Sequence, residues 1–158
     1  MTKELAGIEL TFSKLIEESL LIDALSECLN VDRSAIWNWD WEGVPPSDLY
    51  ADITLVSLDT LAYPFSARLL FNQYVTVEPT FELKLAHTLS KRFDCAVLIN
   101  DETGGADDFV EISSDGMVAW CSGETSESGL TVYRYSPRGR TTYQEAVVAI
   151  EEQASTSR

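Results

Sequence analysis

The sequence predicts a single α+β domain over residues 1–158, with a mainly antiparallel sheet and about three helices. Three observations carry that expectation. Short segments in which apolar and polar residues alternate recur along the chain, and a period of two is what a half-buried strand needs. Between them lie stretches whose apolar residues return every three or four positions, as on an amphipathic helix. Turn sequences, an Asp-Gly pair above all, join neighbouring strands, and no internal repeat, low-complexity linker or second domain interrupts the chain.

Ile8, Leu10 and Phe12 alternate with Glu9, Thr11 and Ser13, which predicts a strand near residues 7–14. A helix follows from Glu17 to Asn30, where Leu21, Ala24, Leu25, Cys28 and Leu29 fall on one stripe and Glu17 and Glu18 meet the positive end of the helix dipole. Residues 34–41, SAIWNWDW, alternate again, so an extended strand would put Trp37, Trp39 and Trp41 on one face. Val44-Pro45-Pro46-Ser47 then ends any regular element, because proline fixes φ and lacks a donor, and predicts an exposed loop.

Residues 51–58 and 65–72 read as two strands joined by a turn, with Phe65, Ala67, Leu69 and Phe71 on one face. Pro79 suits a first helical turn, and Phe81, Leu85 and Leu89 with Ala86 and Phe93 predict a helix to about residue 93. Cys95 to Ile99 reads as a buried strand, Asn100 to Asp108 as an acidic loop, and Ser113-Ser114-Asp115-Gly116 as a hairpin turn between two further strands. Thr131, Tyr133 and Tyr135 mark another strand, which Ser136-Pro137-Arg138-Gly139 is expected to turn. A last helix spans 141–153 on the stripe Ala146, Val147 and Ile150, and residues 155–158 are expected to fray.

The net charge is −15, and it is unevenly spread. No lysine or arginine occurs between Arg33 and Arg68, nor between Arg92 and Arg134, and all four tryptophans lie in those two windows. The first holds Asp40, Glu42, Asp48, Asp52 and Asp59 around Trp37, Trp39 and Trp41; the second holds a larger set of acids around Trp120. Nucleic acid and anionic lipid both require clustered Lys and Arg, so this balance argues against either. Aromatic side chains beside one sign of charge suit a basic protein partner instead. The expected contact residues are Trp37, Trp39, Asp40, Trp41, Glu42 and Asp48, together with Asp101, Glu102, Asp107 and Asp108 of the acidic loop. For the tryptophans, packing in the core and partial exposure as anchors both fit the sequence.

The residues that could carry chemistry form no catalytic pattern. His87 is the single histidine, and one imidazole cannot build a typical zinc site; a surface or packing role is expected. Cys28, Cys95 and Cys121 are odd in number, far apart and set among apolar neighbours, which predicts reduced thiols with raised pKa. The loop from Asp101 to Asp108 lacks the ligand order of a calcium loop, and Gly104-Gly105 lacks the spacing and Lys-Ser/Thr of a phosphate loop. Arg134, Arg138 and Arg140 are expected to offset nearby acids. No cofactor, metal or catalytic turnover is expected. The start MTKELAGIELTF has no signal-peptide pattern, and no apolar run approaches the roughly 20 residues of a membrane span, which predicts a cytoplasmic protein.

The stretch Leu85 to Val118, LAHTLSKRFDCAVLINDETGGADDFVEISSDGMV, resembles the helix, buried strand, acidic loop and Asp-Gly hairpin of small bacterial immunity proteins from polymorphic toxin and contact-dependent inhibition systems. The resemblance covers about a fifth of the chain. It implies a cytoplasmic, acidic α+β protein that binds a cognate toxin domain tightly and blocks it by stoichiometric occlusion, an antitoxin of bacterial competition. It transfers no individual functional residue. Two other classes fit the same features: an acidic type III secretion effector chaperone, working as a dimer, and a small enzyme that uses carboxylates.

Overall fold

Alternating apolar residues near the N-terminus form a strand that sits inside the sheet, and the rest of the chain is laid down on either side of it. A computed structural model describes residues 2–57, 62–101, 108–126 and 129–156, with the backbone alone for 124–126 and 129–138. The order is β1 (Lys3–Phe12), α1 (Glu18–Leu29), a single 3-10 turn (Arg33–Ala35), β2 (Ile36–Asn38), β3 (Ala51–Ser57), β4 (Phe65–Val77), α2 (Phe81–Phe93), β5 (Val97–Asn100), β6 (Asp108–Ile112), β7 (Met117–Ser126), β8 (Gly129–Thr142) and α3 (Tyr143–Thr156).

The eight described strands form one sheet in the order β2-β3-β4-β1-β5-β6-β7-β8. Every neighbouring pair is antiparallel except β2 with β3. Its centre is a double split β-α-β arrangement: α1 carries the chain from β1 past β4 and β3 to the edge strand β2, from which a loop returns it to the parallel β3, and α2 carries it from β4 past β1 to β5. The strands β6, β7 and β8 extend the sheet as a meander, as the Asp-Gly hairpin predicts. Gly116 there has φ 87°, the conformation that glycine adopts without steric cost. The fold class expected from sequence is the one observed.

All three helices pack on one face. Ile8, Leu10 and Phe12 of β1, Ile53 of β3 and Ala67, Leu69 and Phe71 of β4 share one buried cluster with Leu21 and Leu25 of α1, Leu83 and Leu89 of α2 and Ala146 of α3. Each leucine withdrawn from water in this way contributes about 1.5–3 kcal/mol. The helix stripes are those the spacing predicts, and α1 and α2 end at Asn30 and Asp94 in the left-handed conformation, at φ 55° and 50°. Asn and Asp tolerate that conformation because their short polar side chains bond locally.

Several boundaries differ from the sequence reading for identifiable reasons. β4 runs five residues beyond 72 to Val77, and its pairing with β1 is interrupted. Leu5 pairs with Val75 and Gly7 with Leu70, so β1 advances two residues where β4 advances five. Gly7 makes this crossing possible, since a Cβ there would lie 2.3 Å from the Leu69 carbonyl oxygen. Residues 136–139 do not turn the chain; they lie within β8 as a bulge, between the pairs Cys121 with Tyr135 and Ala119 with Arg140, with Gly139 at φ 67°. The helix α3 reaches Thr156, so 155 and 156 are helical rather than frayed, while 157 and 158 lie outside the described residues. Among the described residues no helix is long and apolar enough to cross a membrane.

Among the described residues, the face away from the helices is covered on one half only. Leu98, Cys121 and Tyr63 form a small buried cluster with Ala96 and Phe109 over β5, β6 and β7, and the Tyr63 hydroxyl donates to the Glu111 carboxylate. Among the described residues no element lies over the half made by β2, β3 and β4, and Val56 and Leu70 are exposed there.

Candidate functional site

The tryptophan segment is built around Asn38. The strand β2 lasts only three residues, and Asn38 turns its side chain to the helix face, where it is buried and donates to the Glu18 carboxylate of α1. Its amide oxygen accepts the Asp40 N–H at 2.8 Å, and its backbone carbonyl accepts the Trp41 N–H at 2.9 Å. An asparagine that bonds its own chain two residues on replaces the strand ladder with a turn. The expectation of three indoles on one extended face is therefore corrected. The chain reverses, Trp41 returns to Trp37 at 5.2 Å between ring centroids with planes at 81°, and Trp39 stands apart. Gly43, at φ 106°, then carries the chain past Trp37 into the loop that the prolines predict, in which Val44 and Pro45 are exposed and Pro46 is half-buried.

The choice between core and exposed tryptophans is settled by these positions. Trp39 is 69% exposed and Trp41 39%, Trp37 is half-buried, and Asp40, Glu42 and Asp48 are all exposed. Trp120, in the second cation-free window, is buried in the core, so that window presents no indole at the surface.

Strand register extends this patch onto the half of the sheet that no described element covers. Trp37 lies opposite Asp52, Asp52 opposite Leu70, and Leu70 opposite Gly7, one row across β2, β3, β4 and β1 on the face away from the helices. Leu70 is 57% exposed in that row. The next row holds Thr54, Arg68 and Glu9, with Arg68 and Glu9 paired at 3.3 Å.

Among the described residues no ion pair involves the tryptophan segment. Four cations elsewhere are paired: Lys3 with Glu82, Arg33 with Asp23, Lys84 with Glu78 and Arg92 with Glu27. Among the described residues, the carboxylates of Asp40, Glu42, Asp48 and Asp52 have no cationic partner. Four uncompensated negative charges thus surround the exposed indoles.

The acidic loop is only partly described. Asp101 and Asp108 close its base, the Asp101 N–H donating to the Asp108 carbonyl at 3.0 Å, and the Asp108 carboxylate accepts the Ser122 hydroxyl at 2.9 Å. Glu102 and Asp107 lie outside the described residues. The sheet order places β5 four strand steps from β2, about 19 Å at ~4.8 Å per step. The fold does not merge the two acidic segments into one patch, but a protein interface of roughly 800 Å² per partner is wide enough to reach both.

Compared with protein-family models, curated proteins and solved structures, the chain matches none.

The groups with catalytic potential are engaged otherwise. The His87 ring stacks on Tyr143 at 3.7 Å between centroids with planes 9° apart, joining α2 to α3, and burial and the nearby Lys91 hold its pKa below 6.5. All three cysteines are free; Cys95 and Cys121 are buried and Cys28 is half-buried. Burial raises all three thiols, Cys121 to about 12, which disfavours the nucleophilic thiolate. Among the described residues no group of three His, Cys, Asp or Glu side chains converges as a metal site. The side chains of Arg134 and Arg138 lie outside the described residues, and Arg140 is exposed.

One feature has no trace in the sequence pattern. A groove of about 650 Å³ lies on the helix side, between the end of α1 at Cys28 and Leu29, the end of β4 at Val75 and Val77, and Phe81 and Leu85 of α2. Its rim carries the Glu27–Arg92 and Glu78–Lys84 ion pairs. The end of α1 is distant in sequence from the β4–α2 segment that forms the other walls, so no local spacing announces the groove.

Proposed function

We propose that this chain is an immunity protein, which binds and neutralises a cognate, basic bacterial toxin domain by stoichiometric occlusion in the cytoplasm. The observation that supports this reading is the set of exposed indoles among carboxylates that have no cationic partner among the described residues. Exposed tryptophan supplies the large, rigid area typical of interface anchors. Uncompensated negative charge attracts a basic surface from a distance and raises the encounter rate. The proposed contact surface comprises Trp37, Trp39, Asp40, Trp41, Glu42 and Asp48, together with Asp101, Glu102, Asp107 and Asp108 of the acidic loop. Binding needs no turnover, metal or cofactor.

The test is co-expression with the product of the adjacent gene. If that product is toxic alone, co-expression restores growth, and the two proteins purify as a one-to-one complex. Restoration of growth without a complex, or by substoichiometric amounts of this chain, contradicts occlusion.

The groove between α1, β4 and α2 favours a second reading, an effector chaperone that receives an apolar segment of its client. That class works as a homodimer, so light scattering of the purified protein separates the two. A stable dimer that retains an unfolded effector segment supports the chaperone; a monomer that binds a folded basic domain supports the immunity protein.

A further inference from the structure

The face of β2, β3 and β4 turned away from the helices pairs an aromatic surface with a carboxylate at a fixed spacing. Trp37 and Asp52 are register partners on adjacent strands, so their side chains leave the same face about 4.8 Å apart at the backbone. Trp41 stands edge-on to Trp37 and keeps part of its ring in solvent. The Asp52 carboxylate has no hydrogen-bond or ionic partner among the described residues. On its far side Leu70 is exposed, and Gly7 beyond it adds no side chain to the row.

We infer that this row reads an arginine of the basic partner. The guanidinium stacks on the Trp37–Trp41 pair, its N–H fork is taken by the Asp52 carboxylate, and its methylene stem lies along Leu70. A guanidinium does these things together because it is planar, weakly hydrated and presents paired donors in one plane. A lysine ammonium is a compact, strongly hydrated charge that can meet the carboxylate but gains less from the rings. The inference rests on the basic-partner reading and adds to it a residue type, a position and a requirement for Asp52, which lies outside the tryptophan turn.

Binding of hepta-arginine and hepta-lysine, followed by tryptophan fluorescence and calorimetry at the same ionic strength, tests it. The two peptides carry equal charge, so net attraction alone gives equal affinities. The arginine peptide is expected to bind at least about fivefold more tightly. Asp52→Asn is expected to abolish that preference, while Glu152→Gln on α3, a charge change of the same size on an exposed helix position, is expected to leave it intact. Equal binding of the two peptides overturns the inference, and so does an arginine preference that survives Asp52→Asn. A cognate toxin that binds the Asp52→Asn variant as tightly as the wild type also overturns it, and leaves the immunity reading standing. Failure of any toxin to bind, with the peptide preference present, removes the immunity reading and leaves the arginine site.

Discussion

Trp37 and Trp41 meet edge to face at 5.2 Å, four residues apart in a chain that stops being a strand between them. An extended strand would separate such residues by about 13 Å, so the pair exists only because the backbone reverses at Asn38. Asn38 in turn is held by Glu18, and the pose of the surface indoles is thereby tied to the first turn of α1 on the opposite face of the sheet.

Asn38→Ala should therefore disturb the tryptophan turn as well as stability. It strips the Asp40 N–H of its acceptor and leaves the Glu18 carboxylate without its buried donor, which costs about 1–3 kcal/mol. Urea denaturation should show that loss, and the native fluorescence of the indoles should shift as the Trp37–Trp41 contact loosens. Unchanged stability with an unchanged spectrum would mean that the turn is held by other contacts.

Gly7→Ala should destabilise the sheet at the β1–β4 crossing. The new methyl would meet backbone, the Leu69 carbonyl at 2.3 Å, and backbone cannot swing aside as a flexible side chain can. Overpacking of this kind costs about 1–3 kcal/mol. Gly116→Ala is the comparison: nothing lies within 4 Å of a Cβ there, so only its positive φ is penalised, at roughly 1 kcal/mol. Thermal melts that rank Gly116→Ala as the more damaging change would contradict the close approach.

His87 predicts a pH dependence of defined sign. Its folded-state pKa lies below the ordinary value of 6.5, so the fold prefers the neutral ring. Above pH 6.5 both states are neutral and the stacking on Tyr143 contributes fully. As pH falls below 6.5 the unfolded chain takes up the proton first, and stability declines until pH has passed the folded pKa. His87→Phe keeps a flat ring against Tyr143 and removes the titration. Wild type should lose stability relative to that variant as pH drops from about 6.5, and parallel curves would contradict the assignment.

The sequence carried the elements well, because strand alternation and helix stripes are local and the core reads them directly. Leu21, Leu25, Leu85 and Leu89 are buried where the helical period puts them. It carried the tryptophan segment less well. The parity of Trp37, Trp39 and Trp41 is a property of an extended chain, and the Asn38 side chain, by capturing the Asp40 N–H, ends that condition after three residues. Asp52 and Leu70 join the candidate surface through strand register, a long-range property with no local signal. The expected turn at 136–139 failed similarly: Ser-Pro-Arg-Gly is turn-like locally, yet β7 pairs with the chain on both sides of it and makes it a bulge.

The central claim, that exposed indoles anchor a partner which unpaired acids attract, is tested most directly by association and dissociation kinetics with the neighbouring gene's product across a range of salt. The wild-type association rate should fall steeply as salt rises. Charge reversal at Asp107 and Asp108 should slow association. Trp39→Ala should leave the fold intact, since the ring is largely in solvent, yet speed dissociation by an amount worth about 2 kcal/mol, roughly thirtyfold. An association rate indifferent to salt, together with a Trp39→Ala complex as long-lived as the wild type, would contradict the claim.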